Sequence, residues 1–72
     1  MRLIRIKEVM YRTGLARSTV YKFIKLEKFP KQVAIGGIAA WDEAEIDKWI
    51  CNKIELRNIK ESENENEHIL SA

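Results

Sequence analysis

The sequence has few of the residues that build covalent or metal-held frameworks. Its 72 residues include one cysteine, one histidine, one proline and three glycines. A single cysteine excludes an intrachain disulfide and a cysteine-based zinc site. No apolar run approaches the ~20 residues of a membrane-spanning helix, and the charged N-terminal stretch does not fit a signal peptide. We therefore expect a cytoplasmic protein that has no metal, no cofactor and no membrane partner.

The length leaves room for one small domain. A chain of 72 residues exposes a large share of its surface and holds few large core side chains. The hydrophobic fraction of 46% suffices for a folded core and is too high for a disordered chain. No Ser/His/Asp set, pair of catalytic carboxylates or phosphate-binding glycine loop can be assembled. We therefore expect a binding module and not an enzyme.

Charge is distributed unevenly along the chain, which the net charge of +2 conceals. Residues 1–31 hold nine basic and two acidic residues, whereas residues 32–59 hold three basic and five acidic ones. Residues 60–72 add one lysine and four glutamates. A chain polarised in this way favours an anionic partner at its basic end, and nucleic acid is the leading candidate. A basic surface that only faces water is the alternative.

Apolar spacing predicts two helices joined by a tight corner. Apolar residues recur at helical spacing over residues 6–13, and Gly14 can end that helix in the left-handed conformation. A second helix from residue 16 or 17 to 27 stops before Pro30. Its inward face carries Val20, Phe23, Ile24 and Glu27. Two helices joined by a short turn that contains glycine match the helix-turn-helix pattern.

A glycine pair predicts a β-hairpin, or wing, after the two helices. Gly36 and Gly37 separate two short apolar segments, which is a typical two-residue hairpin signal. Because a hairpin this short is marginal alone, we expect it to pack on the helices. The side chains expected to make that contact are Val33, Ile35 and Trp41.

A third helix is predicted to start after Asp42. Asp42 fits the N-cap, and Glu45 can complete a capping box by reaching back to it. We expect both tryptophans in the core and Cys51 as a small packing residue at the apolar edge of the helix. The inward residues of this helix are Ile46, Trp49, Ile50 and Ile54.

The composition changes from residue 58, where glutamate, asparagine and serine dominate. Such a segment buries too little apolar surface to offset the entropy of ordering. The predicted architecture is therefore mainly α with a small β-hairpin, a winged helix-turn-helix of three helices over residues 1–57. An acidic, disordered tail over residues 58–72 follows it.

The second helix carries the candidate binding residues, since the second helix of a helix-turn-helix enters the major groove of DNA. Arg17 can pair with a guanine, and hydroxyl groups can bond phosphates or base edges. The candidate set on this helix is Arg17, Ser18, Thr19, Tyr21, Lys22 and Lys25. Weaker candidates lie after the helix and at the wing tip: Lys28, Lys31, Gly36 and Gly37. A solvated surface is the alternative for the charged residues, and a simple tight turn for the glycines.

Five short motifs carry a family resemblance. They are Ile4–Val9, Thr13–Leu15, Arg17–Tyr21, Phe29–Lys31 and the stretch over residues 40–50. In this order they resemble the AlpA family of prophage regulatory proteins. The chain is similar, more distantly, to excisionases of the phage lambda type and to the DNA-binding part of MerR-like regulators. The resemblance implies a winged helix-turn-helix that binds double-stranded DNA on a mobile element.

The resemblance also assigns roles to residues. The recognition-helix role falls on Arg17, Ser18, Thr19, Tyr21 and Lys22, and the wing role on Gly36 and Gly37. Two positions depart from the family pattern. Relatives usually have serine where this chain has Ala16, and an alanine N-cap costs ~1 kcal/mol. Relatives often have arginine or another polar residue after the glycine pair, where this chain has Ile38.

The predicted function is sequence-specific DNA binding by a transcriptional regulator of a prophage or integrated element, with integrase expression as a candidate target. Two alternatives stay open: an excisionase that assists integrase, and a protein-interaction adaptor or inhibitor that uses the third helix. Double-stranded DNA is the predicted partner, and integrase, RNA polymerase and further copies of the chain are candidate partners on it. One such module buries only ~600–1,000 Å² on DNA, so tight binding calls for several copies.

Overall fold

A helical corner, a small sheet and a long helix follow one another along the chain. The structure is a computed structural model that describes the backbone of residues 1–71 and the side chains of residues 1–60. The described residues form three helices and three strands: β1 (Leu3–Ile4), α1 (Ile6–Thr13), α2 (Arg17–Lys25), β2 (Val33–Ile35), β3 (Ile38–Asp42) and α3 (Glu43–Ser71). This confirms the predicted class, a mainly α winged helix-turn-helix with a small β element.

The corner between α1 and α2 is built as the sequence predicts. Gly14 has φ 74°, and its N–H donates to the Met10 carbonyl over 2.8 Å, which closes α1 at Thr13. The Thr13 hydroxyl donates to the Val9 carbonyl and accepts the Leu15 N–H. The backbone groups of the turn therefore find hydrogen-bond partners within the turn, and a longer loop is not required.

The end of α2 differs from the prediction. The helix ends at Lys25, two residues early, and Glu27 adopts φ 59°. The N–H of Lys28 donates to the Phe23 carbonyl over 2.8 Å, and that of Glu27 to the Ile24 carbonyl over 3.0 Å. These two bonds form a Schellman motif, which ends the helix before the proline is reached. Glu27 is exposed in this turn and does not belong to the inward face.

The sheet has three antiparallel strands in the order β1-β3-β2. The predicted hairpin of β2 and β3 is present, and Gly36 and Gly37 form its turn with φ 55° and 77°. Positive φ at both positions explains the glycine pair. The third strand, β1, pairs Ile4 with Trp41 and places β3 at the centre of the sheet.

The wing packs on the helices less than predicted. Trp41 is fully buried, as expected, but Val33 is 44% exposed and Ile35 is 49% exposed. The expectation that these two residues contact the helices is wrong. The helices α1 and α3 pack against the central strand β3, and β2 is left at the outer edge of the sheet.

The core lies between the three helices and the central strand. Its fully buried side chains are Val9, Val20, Trp41 and Ile46. Ile4, Phe29 and Ala40 are also buried, and Phe23 and Ile24 pack against this cluster from α2. The predicted inward face of α2 is therefore confirmed for its apolar residues.

The first turns of α3 hold the core, and the later turns do not. Asp42 is the N-cap, since its Oδ1 accepts the Ala44 N–H over 3.1 Å, but Glu45 makes no reciprocal bond within the described residues. Cys51 is exposed and Ile54 is 45% exposed, so neither has the packing role predicted for it. The helix has passed the edge of the small core by this point.

The backbone of α3 also passes the predicted end of the domain. The sequence prediction closed the domain at residue 57, but residues 58–60 continue the helix. They contain neither proline nor glycine, so nothing in them interrupts the helical hydrogen bonds. The side chains of residues 61–72 lie outside the described residues. The division into a domain and an acidic, disordered tail stays a prediction.

Two tryptophans fix the loop between α2 and β2. The Trp41 indole N–H donates to the Pro30 carbonyl over 3.0 Å, and that of Trp49 donates to the Lys28 carbonyl over 2.8 Å. Between these two acceptors, the buried Phe29 ring meets the Trp49 ring edge-on at 4.8 Å. The loop is therefore anchored from the sheet on one side and from α3 on the other.

Arg12 ties α1 to the start of α3. Its guanidinium bonds Glu43 over 2.6 Å, Asp47 over 3.0 Å and Glu8 over 3.3 Å. These bonds, chiefly the one to Glu43, raise the pKa of Arg12 above its ordinary value. Arg2 adds a second ion pair to Glu43 over 3.6 Å. One basic residue thus gathers three carboxylates from two helices.

We predict that Trp41→Phe lowers the free energy of unfolding by about 2 kcal/mol, since it removes a buried hydrogen bond and leaves a void. Urea denaturation followed by circular dichroism measures this. Trp49→Phe is the matched control. It removes a similar bond at a more exposed site and should cost about 1 kcal/mol or less. Equal losses in the two variants would contradict this account of the core.

We also predict that Glu27→Gly raises the free energy of unfolding by about 1 kcal/mol, because glycine adopts positive φ without a Cβ penalty. Glu27→Ala removes the same charge but keeps the Cβ, and should leave stability nearly unchanged. The same denaturation experiment measures both. A gain for the alanine variant as large as that for glycine would assign the effect to charge and refute the backbone explanation.

Candidate nucleic-acid interface

The outward face of α2 is exposed and basic. Five of the six candidate residues on this helix are exposed: Arg17, Ser18, Tyr21, Lys22 and Lys25. Thr19 is half-buried, because its position on the helix turns it toward the core side. The structure therefore brings the predicted recognition residues together on one face, with Thr19 at its border.

Tyr21 is the rigid member of this face. Its ring meets the fully buried Trp41 edge-on, with the ring centroids 6.1 Å apart. The side chain is still 38% exposed. An aromatic side chain packed on the core has little conformational entropy left to lose on binding. It lies among flexible lysines and gives the face a fixed point.

The basic residues of the N-terminal part divide into two groups. Arg2 and Arg12 bond carboxylates of α1 and α3. Among the described residues, the others have no carboxylate partner: Arg5, Lys7, Arg17, Lys22, Lys25, Lys28 and Lys31. Three carboxylates, those of Glu8, Glu43 and Asp47, are thus paired with two arginines. The remaining cations are free to attract an anionic ligand.

A cavity of about 300 Å³ lies at one end of this basic face. Arg5, Ile6, Lys7 and Arg17 line it. Arg17 was a predicted site residue, whereas the sequence pattern did not single out Arg5 and Lys7. Their only sequence signal is their place in the basic N-terminal stretch, immediately before and within the first turn of α1.

The weaker candidates border the face without adding to the cavity. Lys28 and Lys31 are exposed, in and after the loop that the tryptophans anchor. Gly36 and Gly37 form the exposed wing tip, and an added Cβ at either one would meet nothing within 4 Å. Their positive φ therefore accounts for both glycines as a tight turn.

The wing itself is apolar and uncharged. Residues 32–41 include no acidic or basic residue. Ile38, which follows the glycine pair, is 42% exposed, like the two exposed residues of β2. Any contact of this wing with a ligand is therefore made by apolar side chains and backbone, and not by a basic residue.

The described residues offer no set of side chains for metal chemistry. No group of three or more histidine, cysteine, aspartate or glutamate residues among them could hold a metal ion. Over the same part of the chain, no helix combines the length and the apolar character that crossing a bilayer requires.

Known proteins resemble this chain over the corner, the wing and the start of the third helix. The chain matches the family described as prophage CP4-57 regulatory protein (AlpA) over residues 2–54. It is 43% identical over 54 residues to the uncharacterized protein ORF88 of Enterobacteria phage P4, a match that covers 74% of this chain. The match spans only 61% of that relative, less than two thirds of its length.

A second relative is matched over nearly all of its length. The chain is 33% identical over 63 residues to the DNA-binding transcriptional activator AlpA of Escherichia coli (strain K12), across 78% of this chain and 90% of that one. No solved structure matches the chain significantly. Because the family match includes both helices of the corner, the wing and the start of α3, the chain belongs to the AlpA family of prophage regulatory proteins.

Proposed function

We propose that this protein is a sequence-specific regulator that binds double-stranded DNA of a prophage or integrated element. The observation that carries the proposal is the unpaired basic face of α2, placed directly after a helix-turn-helix corner. A relative named as a DNA-binding transcriptional activator supports it, since the alignment covers 90% of that protein. A DNA partner places the site of action in the cytoplasm, at the nucleoid.

In this proposal α2 lies in the major groove. Its N-terminal residues, Arg17 and Ser18, approach base edges and phosphates, while Tyr21 presents a ring that the core holds in place. Lys22 and Lys25 lie further along the same face and attract backbone phosphates, which supplies affinity but little sequence preference. The mechanism needs no catalytic group.

The proposed roles in regulation and excision depend on how a module this small binds DNA. A single module buries ~600–1,000 Å² on DNA, so several copies on neighbouring sites would be needed for tight binding. Occupancy of repeated sites beside an integrase promoter would recruit or block RNA polymerase. The same array would bend DNA for an integrase. Regulation of integrase expression is our first choice, and excision is the second.

An adaptor role has less support. It would use exposed tryptophan on or just before the third helix, but Trp41 of β3 is fully buried and the Trp49 indole N–H donates to the Lys28 carbonyl. The exposed apolar residues of α3 lie beyond the core: Ile54, Leu56 and Ile59.

We predict that Lys22→Ala and Tyr21→Ala each weaken binding to the element's own control region by roughly tenfold. The lysine variant loses a phosphate contact, and the tyrosine variant loses a base or backbone contact. Gel shifts with a duplex of that region measure this. Lys60→Ala is the control, since Lys60 is an exposed cation far along α3. Unchanged binding in both α2 variants would refute the placement of α2 in the groove.

A paired assay separates the two regulatory roles. We expect expression of the protein to change an integrase-promoter reporter in cells that lack integrase protein. An excision assay with integrase supplied from an unrelated promoter tests the second choice. Excision stimulated by this protein, with no effect on the reporter, would replace the transcriptional role by the excisionase role.

A further inference from the structure

We propose that Arg5, Lys7 and Arg17 form a site that holds one phosphate group of the DNA backbone, between the N-termini of α1 and α2. The inference rests on the proposed DNA-binding function and deepens it, because it assigns two residues outside the recognition helix to the interface. It also changes the role expected for Arg17.

The site is a cavity and not a dispersed basic surface. Its volume is about 300 Å³, and three of its four lining residues are cations. Ile6 and Lys7 are the first two residues of α1, and Arg17 is the first residue of α2. The first residues of two helices therefore border one space, although ten residues lie between Ile6 and Arg17 in the sequence.

Both helix starts leave their amide donors unused. No side-chain oxygen caps α1 at Arg5 or α2 at Ala16. The first N–H groups with helical acceptors are those of Val9 and Val20. The N–H groups before them need an acceptor, and each helix dipole adds partial positive charge at the same end. An anion held here would satisfy both requirements.

No carboxylate of the side chains that the structure describes bonds a cation of the site. Glu8 is the acidic residue in the first turn of α1, and it bonds Arg12 over 3.3 Å. The first turn of α2 has no acidic residue. Arg5, Lys7 and Arg17 have no carboxylate partner among the described residues. The charged side chains that line the cavity are therefore all positive.

The chemistry of the site fits phosphate oxygens. Planar guanidinium groups bind tetrahedral oxyanions through paired hydrogen bonds, and an ammonium adds a point charge. Arg17, the first residue of α2, lines the cavity, and this end of a recognition helix approaches DNA most closely. A backbone phosphate diester is therefore the assigned ligand, in preference to a free phosphate.

The assignment changes how specificity is distributed. A residue bound to a phosphate fixes the register of the protein on the duplex but reads no base. Arg17 would then position α2, and base reading would fall to Ser18 and Tyr21. The site would also explain the alanine at position 16, because a serine N-cap there would bond amide N–H groups of α2 that the phosphate needs.

Salt-dependent binding tests the site in the full-length chain. Arg5→Gln, Lys7→Gln and Arg17→Gln are compared with Lys60→Gln, on the control-region duplex and on a scrambled duplex. We expect each site variant to lose roughly tenfold in affinity on both duplexes and to reduce the salt slope by about 1, with the preference between duplexes unchanged. Lys60→Gln should change neither. All four side chains are exposed, so melting temperatures should match the wild type.

Several outcomes would overturn the site. Wild-type affinity and slope in Arg5→Gln and Lys7→Gln would remove it while leaving the proposed DNA binding intact. Loss of affinity for the control-region duplex alone in Arg17→Gln would return Arg17 to base reading. The proposed function itself fails if the wild type shows no preference for the control-region duplex, that is, if it binds that duplex no better than Lys60→Gln binds the scrambled one.

A neutral-phosphate scan identifies the source of the anion. Single methylphosphonates are placed along one strand of the duplex. We expect one position to weaken the wild type roughly tenfold and to leave Arg5→Gln unaffected, because the variant has already lost that contact. Inorganic phosphate, titrated as the free anion, should bind in the millimolar range. Micromolar binding of inorganic phosphate with no sensitive duplex position would assign the site to a free anion and overturn the DNA-backbone assignment.

Discussion

The arrangement of the corner, sheet and loop depends on the burial of one indole, that of Trp41. It pairs with Ile4 across the sheet, meets the Tyr21 ring on α2 and donates its N–H to the Pro30 carbonyl. A buried polar N–H must find an acceptor, so the loop has to pass where the indole points. In a core this small, that requirement fixes α2, the central strand and the loop relative to one another.

A separation of charge accompanies this packing. Arg12 gathers the carboxylates of Glu8, Glu43 and Asp47, which would otherwise weaken the positive field of the corner. The ion pairs join α1 to α3, on the side where the helices meet. Within the described part of the chain, the cations of the α2 face and of the first turn of α1 have no carboxylate partner. The ion pairs and the exposed basic face use different basic residues, although all of them come from the same N-terminal part of the chain.

Local signals predicted most of the fold. The bounds of α1 and its end at Gly14 follow from apolar spacing and one glycine, and both are observed. The end of α2 was placed too late because a left-handed Glu27 has no signature in residue preferences. The exposure of β2 follows from long-range pairing of β1 with β3, which the sequence pattern does not encode. The cavity was missed for a similar reason, since Arg5 and Arg17 come from separate segments.

The junction between β3 and α3 has a mechanical consequence. Asp42 is both the last residue of the strand and the N-cap of the helix, and the N–H of Glu43 donates to the Arg2 carbonyl beside β1. No residue lies between the strand and the helix, so the early turns of α3 are held rigidly to the central strand. Because Trp41 of that strand also meets Tyr21 of α2, a displacement of the early turns of α3 would reach α2 through one continuous line of contacts.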